Sequence, residues 1–451
     1  MTAQVNDVPS GRRTRRTRST TVAALVALCA LAAGCSSEAE DLGVVWDTPV
    51  DREAEQQGNG AWLSGDTLVH SRFDTVRGYD ARTGKRSWEY VPPGRSAVCH
   101  ATADTDSSVV ILTRDGEGAP ASAKSELCTT AVAIDGKNGR ELWQLSLSAG
   151  EFGLHGLDPS PLSAGGGIAV LLTKDELHAV EVRSGKPRWK AAVPQGCVPR
   201  RAAVAQRQVA ALLACGGTER YEGDKIPGDA ELHTAAFAPA SGALLWSAPL
   251  GGRSTVPWDA RADFVSADPV VVAASSSGDS ESGAYFSFGG NGRPNPPIDF
   301  SGPYGEIKLA GRLTAAVDDH RLYALPLHRV RNSRVDPHRL TAFDLATGDP
   351  VWGGTVDDDR LDGDTGYHII PQDGKITVLT SRHETSFSGD RSSSFSLRVL
   401  DGATGEQREV RSFPEDDDPV DTFFVYEGRL IGARYDSYGS RSKPFTAYER
   451  R

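Results

Sequence analysis

Thr341-Ala342-Phe343-Asp344-Leu345-Ala346-Thr347-Gly348-Asp349-Pro350-Val351-Trp352 decides how this chain is read. A short apolar run ends in Asp344, a Thr-Gly pair follows at Thr347-Gly348, and Trp352 stands four residues beyond the glycine. The physical reading is a β-hairpin. The Asp carboxylate accepts hydrogen bonds from backbone N–H groups of the turn, and Gly takes the left-handed conformation at little cost. The next strand carries Trp, a ring large enough to fill a gap between packed sheets.

The same pattern recurs along the chain. Asp80, Thr83, Gly84 and Trp88 repeat it, as do Asp135, Asn138, Gly139 and Trp143. Looser copies are Glu181/Ser184/Gly185/Trp189 and Ser241/Gly242/Trp246, where the acid has become Ala238. Asp401/Thr404/Gly405 keeps the turn but holds Glu409 in the Trp place, and Phe288/Asn291/Gly292 is the most degraded, with Pro296 there. The seven turn glycines lie 46 to 57 residues apart, and six of the eight tryptophans share one phase, counting Trp46. A repeat of about 51 residues is the size of a four-stranded propeller blade.

The chain ends extend the pattern. Thr446-Ala447-Tyr448-Glu449 matches the strand before the turn, and Val44-Val45-Trp46 matches the strand after it. Pairing them closes a ring and removes exposed sheet edges. The expectation is an all-β, eight-bladed β-propeller of four-stranded antiparallel blades. The alternative is seven blades, with the Phe288/Asn291/Gly292 copy reduced to a loop.

These residues resemble the pyrroloquinoline-quinone-type (PQQ-like) β-propeller repeat, A-x-D-x-x-T-G-x-x-x-W. The resemblance covers nearly all of residues 43–451, the expected propeller domain. It implies a fold and says little of function, because its relatives include quinoprotein dehydrogenases, a lipoprotein subunit of outer-membrane assembly machinery and extracellular domains of bacterial kinases. The quinoprotein enzymes carry two adjacent cysteines over the cofactor and a calcium site of Glu, Asn and Asp. No two cysteines are adjacent here, so the expectation is no quinone, no other cofactor and no metal.

The beginning of the chain is an address. Arg12, Arg13, Arg15, Arg16 and Arg18 precede the uncharged run 21–34. That run is shorter than the roughly 20 residues of a membrane-spanning helix and fits the apolar core of a signal peptide. Ala32-Ala33-Gly34-Cys35 resembles the lipobox of bacterial lipoproteins, with Leu31 one place earlier than usual. The expected organisation is a signal peptide over 1–34, lipid (diacylglyceryl with palmitate-type acylation) on Cys35 and a polar tether over 35–42. The body then hangs from the cell membrane on its extracytoplasmic face. Of six cysteines, Cys29 leaves with the signal, and Cys99, Cys128, Cys197 and Cys215 remain, an even number in an oxidising space.

Composition narrows the function classes. The 451 residues are 39 % hydrophobic and 24 % charged, which excludes wholesale disorder. A net charge of −11 argues against a nucleic-acid partner. There is no H-E-x-x-H, no G-x-S-x-G and no C-x-x-C, and the ten histidines are scattered.

In a four-stranded blade the Gly turns join the third and fourth strands on one face. The insertions 116–126, 216–230, 275–283, 327–338, 383–394 and 436–443 then fall on the opposite face. Repeat folds elaborate one face in this way to build a binding surface. Cys99 and Cys128 fall in the second unit and Cys197 and Cys215 in the fourth. These units are not neighbours, so the expected bridges are Cys99–Cys128 and Cys197–Cys215. Asp357, Asp358, Asp359, Asp362 and Asp364 in one link, and Glu415, Asp416, Asp417 and Asp418 in the next, would attract a cation or a basic partner. Arg329, Arg331 and Arg334 would partly offset them. Asp362-Gly363-Asp364 lacks the rest of a calcium loop. The reading is a membrane-anchored, non-enzymatic binding or scaffold propeller with a cell-envelope protein partner on the insertion face. The alternative is an extracellular ligand- or glycan-sensing or hydrolytic propeller.

Overall fold

The computed structural model describes residues 40–114, 128–147, 162–173, 175–216, 230–251, 260–276, 283–307, 315–327, 339–356, 367–385, 391–414 and 420–451. The chain separates into Met1–Ser37 and Glu38–Arg451, and the fold described is that of the second part.

Strands follow the repeat. Gly60–Ser64, Thr67–Ser71, Val76–Asp80 and Arg86–Tyr90 form one sheet in chain order, each strand antiparallel to the next. Further four-stranded sheets follow over 98–146, 162–192, 197–249, 260–299 and 315–355. An eight-stranded sheet joins the four strands of 367–412 to those of 422–450 and Glu40–Asp47. The architecture is all-β, a multi-bladed propeller of four-stranded antiparallel sheets.

Side-chain patterning explains the layering. Second strands such as Val109–Arg114 and Ile168–Leu172 are buried throughout, as a strand covered on both sides must be. Fourth strands such as Pro187–Ala192 and Leu244–Pro249 alternate exposed and buried, with Trp189 and Trp246 turned inward. Apolar clusters sit between successive sheets, for example Val69, Trp88, Val110, Leu112 and Val132 between 60–90 and 98–146. Another, of Ala61, Leu68, Tyr79, Ile431, Phe445 and Ala447, joins the last sheet to the first. Burying these faces supplies the main stabilisation, at roughly 25 cal/mol per Å² of apolar surface.

The two chain ends meet. Glu40–Asp47 runs antiparallel to Phe445–Arg450, with Leu42 opposite Arg450, Val44 opposite Tyr448 and Trp46 opposite Ala447. This strand begins earlier than the sequence suggests: Glu40, Asp41 and Leu42 belong to it rather than to a tether. The reason is Leu42, 2 % exposed and packed with Phe413, Val420 and Tyr448.

One further expectation changes. Most of the insertion 383–394 is a hairpin extension, since Lys375–Thr385 and Arg391–Asp401 stay paired as far as Thr385 opposite Arg391. The degraded Phe288/Asn291/Gly292 copy keeps the place in the repeat that the expectation gave it, against the alternative of a loop: it belongs to the four-stranded sheet 260–299, whose fourth strand is only Ile298–Asp299. The link that follows adds Ser301–Gly302, which pairs with Gly305–Ile307, and the latter pairs in turn with Pro326–Leu327 outside the repeat.

Candidate functional site: turn locks and the closing seam

The predicted turn residues make the bonds their types allow. Asp80 Oδ1 accepts the N–H groups of Arg82 at 3.1 Å and Thr83 at 2.9 Å. Asp344 Oδ1 accepts those of Ala346 at 2.8 Å and Thr347 at 3.0 Å, and Asp135 Oδ1 that of Lys137 at 3.0 Å. Gly84, Gly139 and Gly348 sit at φ +67°, +71° and +75°, the left-handed region.

A second role of these glycines is not visible in a single hairpin. The Trp of each sheet docks on the Gly turn of the next. Trp88 Nε1 donates to Gly136 O at 2.9 Å, Trp143 to Val182 O at 2.8 Å, Trp189 to Pro239 O at 2.7 Å and Trp352 to Gly402 O at 3.0 Å. A Cβ on Gly139 would lie 2.6 Å from the Trp88 ring, and one on Gly84 would lie 2.4 Å from Trp46. Glycine is therefore needed for its dihedral angle and for the space above it. The two degraded copies fit the same scheme. Gly348 lies under the Pro296 and Pro297 carbonyls instead of a ring, at 3.2 and 3.3 Å from a Cβ placed there. Glu409 faces the sheet in which the turn is replaced by the two chain ends; there it pairs with Arg450, and Arg411 of its own strand pairs with it as well.

Both cysteine pairs are bridged. Cys197 and Cys215 sit directly opposite each other on paired strands, with Cα atoms 3.9 Å apart. Cys99 lies in Val98–Asp104, and Cys128, 6.4 Å away by Cα, precedes Thr130–Asp135 rather than opening it. Both bridges lie at the strand ends away from the Gly turns.

On that same opposite face the link 48–59, the loop 72–75 and the segment 434–444 converge on one guanidinium. The Arg72 side chain is 0 % exposed; its Nη1 lies 2.7 Å from Asp51 Oδ1, and its Nε lies 3.3 Å from Asp436 Oδ2 and 3.7 Å from Asp74 Oδ1. Both Nη groups donate to Arg52 O at 3.2 Å. Arg77 pairs with Asp51 and, at 2.7 Å, with Glu89, while Arg52 pairs with Asp74. Beneath them His70 is 1 % exposed, edge-on to Phe445. Burial pushes its pKa down to about 4, so the ring is neutral. Burial opposes ionisation of Asp51, but bonds from Arg77 and Arg72 outweigh it and hold its pKa below the usual carboxylate range. Asp436 is pushed up by burial, with Arg72 working against the shift.

Chemically this cluster is a clasp. Its carboxylates are committed to guanidinium groups, and Asp74 also accepts the Thr75 hydroxyl at 3.4 Å. Sequence spacing gives no hint of it, because residues 51, 72 and 436 meet only when the ring closes. Among the described residues no group of three or more His, Cys, Asp or Glu is arranged to hold a metal ion, and no helix is long and apolar enough to cross a membrane. Cys35, the acidic links 357–364 and 415–418, and Arg329, Arg331 and Arg334 lie outside the described residues. Of the insertions, 436–443 is described in full and presents Tyr438, 85 % exposed.

Residues 36–219 match the family model described as outer membrane protein assembly factor BamB. No curated protein matches the chain. Among solved structures, BamB from Moraxella catarrhalis is similar at 15 % identity and TM-score 0.48, over 90 % of this chain and 99 % of that one. Quinohemoprotein alcohol dehydrogenase from Comamonas testosteroni is similar at 13 % identity and TM-score 0.47, over 91 % of this chain and 76 % of that one. With its repeated turns, its strand order and the match over residues 36–219, the chain is a PQQ-like β-propeller repeat protein.

Proposed function

We propose that the protein is a lipid-anchored, extracytoplasmic, non-enzymatic scaffold with an eight-bladed ring, and that it binds a cell-envelope protein through the insertion face. One observation carries this reading. The polar groups the described structure gathers, in the turns and at Arg72, are committed to holding sheets together, while the added length of the chain goes into insertions at one end of the strands. A rigid platform with elaborated loops suits recognition and demands no reactive group. The matched family model is named for an assembly factor, in keeping with a scaffold; the particular assembly is not carried over.

The test is a pull-down of the lipidated protein from its native membrane, with mass spectrometry of its mature N-terminus. The expected result is a diacylglyceryl Cys35 and an envelope protein whose capture is lost on shortening 116–126 or 216–230. An unmodified Cys35 contradicts the anchor, and capture indifferent to those insertions contradicts the face. Quinone and calcium added to the pure protein should give no dye-linked alcohol oxidation; clear turnover would overturn the non-enzymatic reading.

A further inference from the structure

The two residues just before the Trp place of each outer strand vary in a way that the fold does not require. The first three sheets hold Arg86 and Ser87, Glu141 and Leu142, and Pro187 and Arg188 there. The fourth holds Leu244 and Leu245, the sixth Pro350 and Val351, and the strand Glu40–Asp47 holds Val44 and Val45. These last six are all exposed, Leu244 at 49 % and Leu245 at 54 %. The fourth sheet goes furthest. From Thr234 to Leu250 no side chain except those of neutral type occurs, whereas each of the other six Gly turns carries at least one charge. The missing acid is not needed to form the turn, since the Gly242 N–H still donates to Ala238 O at 2.8 Å. Ala240, Ser241 and Ala243 of this turn are exposed beside the two leucines.

The second observation is where these pairs stand. Because the repeat fixes the height of a residue along its strand, the three apolar pairs lie level with one another, toward the turn end of the fourth, sixth and last sheets. A protein partner is recognised through one continuous patch of about 800 Å², which three separated pairs do not offer. A flat apolar layer can touch all three at once. The chain enters at the same end: Leu42 lies opposite Arg450, at the turn end of its sheet. Cys35 precedes Glu40 by five residues, a tether of at most about 18 Å. The charges on this arc, Arg293, Asp349, Glu406 and Arg408, are exposed and of both signs, so its contact with a membrane is apolar rather than electrostatic. We infer that the rim of the Gly-turn face from the fourth sheet to the seam dips into the interfacial layer of a phospholipid bilayer, with Leu244 and Leu245 as its main contact, and so directs the insertion face away from the membrane. This rests on the anchor at Cys35. A lipid chain holds a protein near a bilayer without fixing its tilt, and exposed apolar side chains are a second, independent signal whose strength follows the area they bury.

The test uses the purified lipoprotein on phosphatidylcholine vesicles that carry a nitroxide quencher high on the acyl chain. A fluorescent dye is placed at Ala240→Cys beside the leucines, at Lys137→Cys on the turn face of the second sheet, or at Tyr438→Cys on the insertion face. Quenching at position 240 should exceed that at 137 and at 438 severalfold, in low and in high salt alike. L244E/L245E should abolish the excess and L244A/L245A should reduce it, each with an unchanged thermal unfolding curve. Equal quenching at 240 and 438, an excess that survives L244E/L245E, or one that needs phosphatidylglycerol and vanishes in high salt would overturn the inference. The anchor is read separately, by flotation with the vesicles. Floating protein that is unquenched at 240 contradicts the inference alone. Protein that does not float contradicts the anchor and the inference with it.

Discussion

An ordinary junction between sheets and the junction where the chain begins and ends are built from different chemistry. Between 60–90 and 98–146 a covalent turn offers Gly139, and Trp88 lies on it with its Nε1 on Gly136 O. Between 367–412 and the last sheet there is no covalent turn to cover, and Glu409 stands in the Trp place, paired with Arg450 and Arg411. Around the seam the chain adds a buried charge cluster on the other face, centred on Arg72. The difference teaches that the Trp belongs to the partner turn as much as to its own strand. Where the turn is cut, the ring is held by ion pairs and by the strand Glu40–Asp47.

The sharpest way to break the seam is to remove its shared cation. Arg72→Met should lower stability by about 3–5 kcal/mol, because it leaves Asp436 buried without its guanidinium and Asp51 with Arg77 alone; thermal unfolding at neutral pH measures it, and a loss no larger than that of a surface substitution contradicts the clasp. Trp88→Ala tests the ordinary junction, at a comparable cost of about 3–5 kcal/mol for a buried ring.

Acid sharpens the contrast next. Burial holds His70 and His368 near 4, below their ordinary 6.5, so the unfolded chain takes up protons that the folded chain refuses. Stability is therefore full above about 6.5 and falls as pH drops toward 4, by roughly 1.4 kcal/mol per group for each pH unit crossed in that window. The raised Asp421 and Asp436 work in the opposite direction. His70→Gln should flatten the pH dependence of unfolding between 6.5 and 4; an unchanged slope would show that His70 does not contribute to it.

A smaller effect separates two glycines of the same conformation. Gly139→Ala puts a Cβ 2.6 Å from Trp88, whereas at Gly348 the nearest atom is 3.2 Å away. Both substitutions carry the left-handed cost of about 1 kcal/mol, and the first should add the larger overpacking, of roughly 1–3 kcal/mol. Equal losses in denaturant midpoint would mean that the rings do not set the spacing. Least of all, Glu409→Gln should cost about 1 kcal/mol or less, as a partly exposed ion pair does.

Much of the turn face is legible in sequence because Asp, Gly and Trp each do one local job that recurs. What escapes the spacing is what happens between repeats. Glu409 looks like a worn copy of Trp until the missing turn opposite it is seen. Gly84 announces its dihedral angle and hides its contact with Trp46. Asp51, Arg72 and Asp436 carry no pattern because ring closure alone brings them together. Leu42 looks like tether in a polar stretch, and its burial depends on Tyr448 at the far end of the chain.

The central claim is that the ring is closed by its two ends, and backbone amide hydrogen exchange tests it most directly. Closure predicts that residues 42–47 and 445–450 exchange as slowly as interior strands such as Val109–Arg114, and that deleting 445–451 exposes 42–47. Fast exchange at 42–47 in the intact protein, as in a frayed terminus, would contradict it.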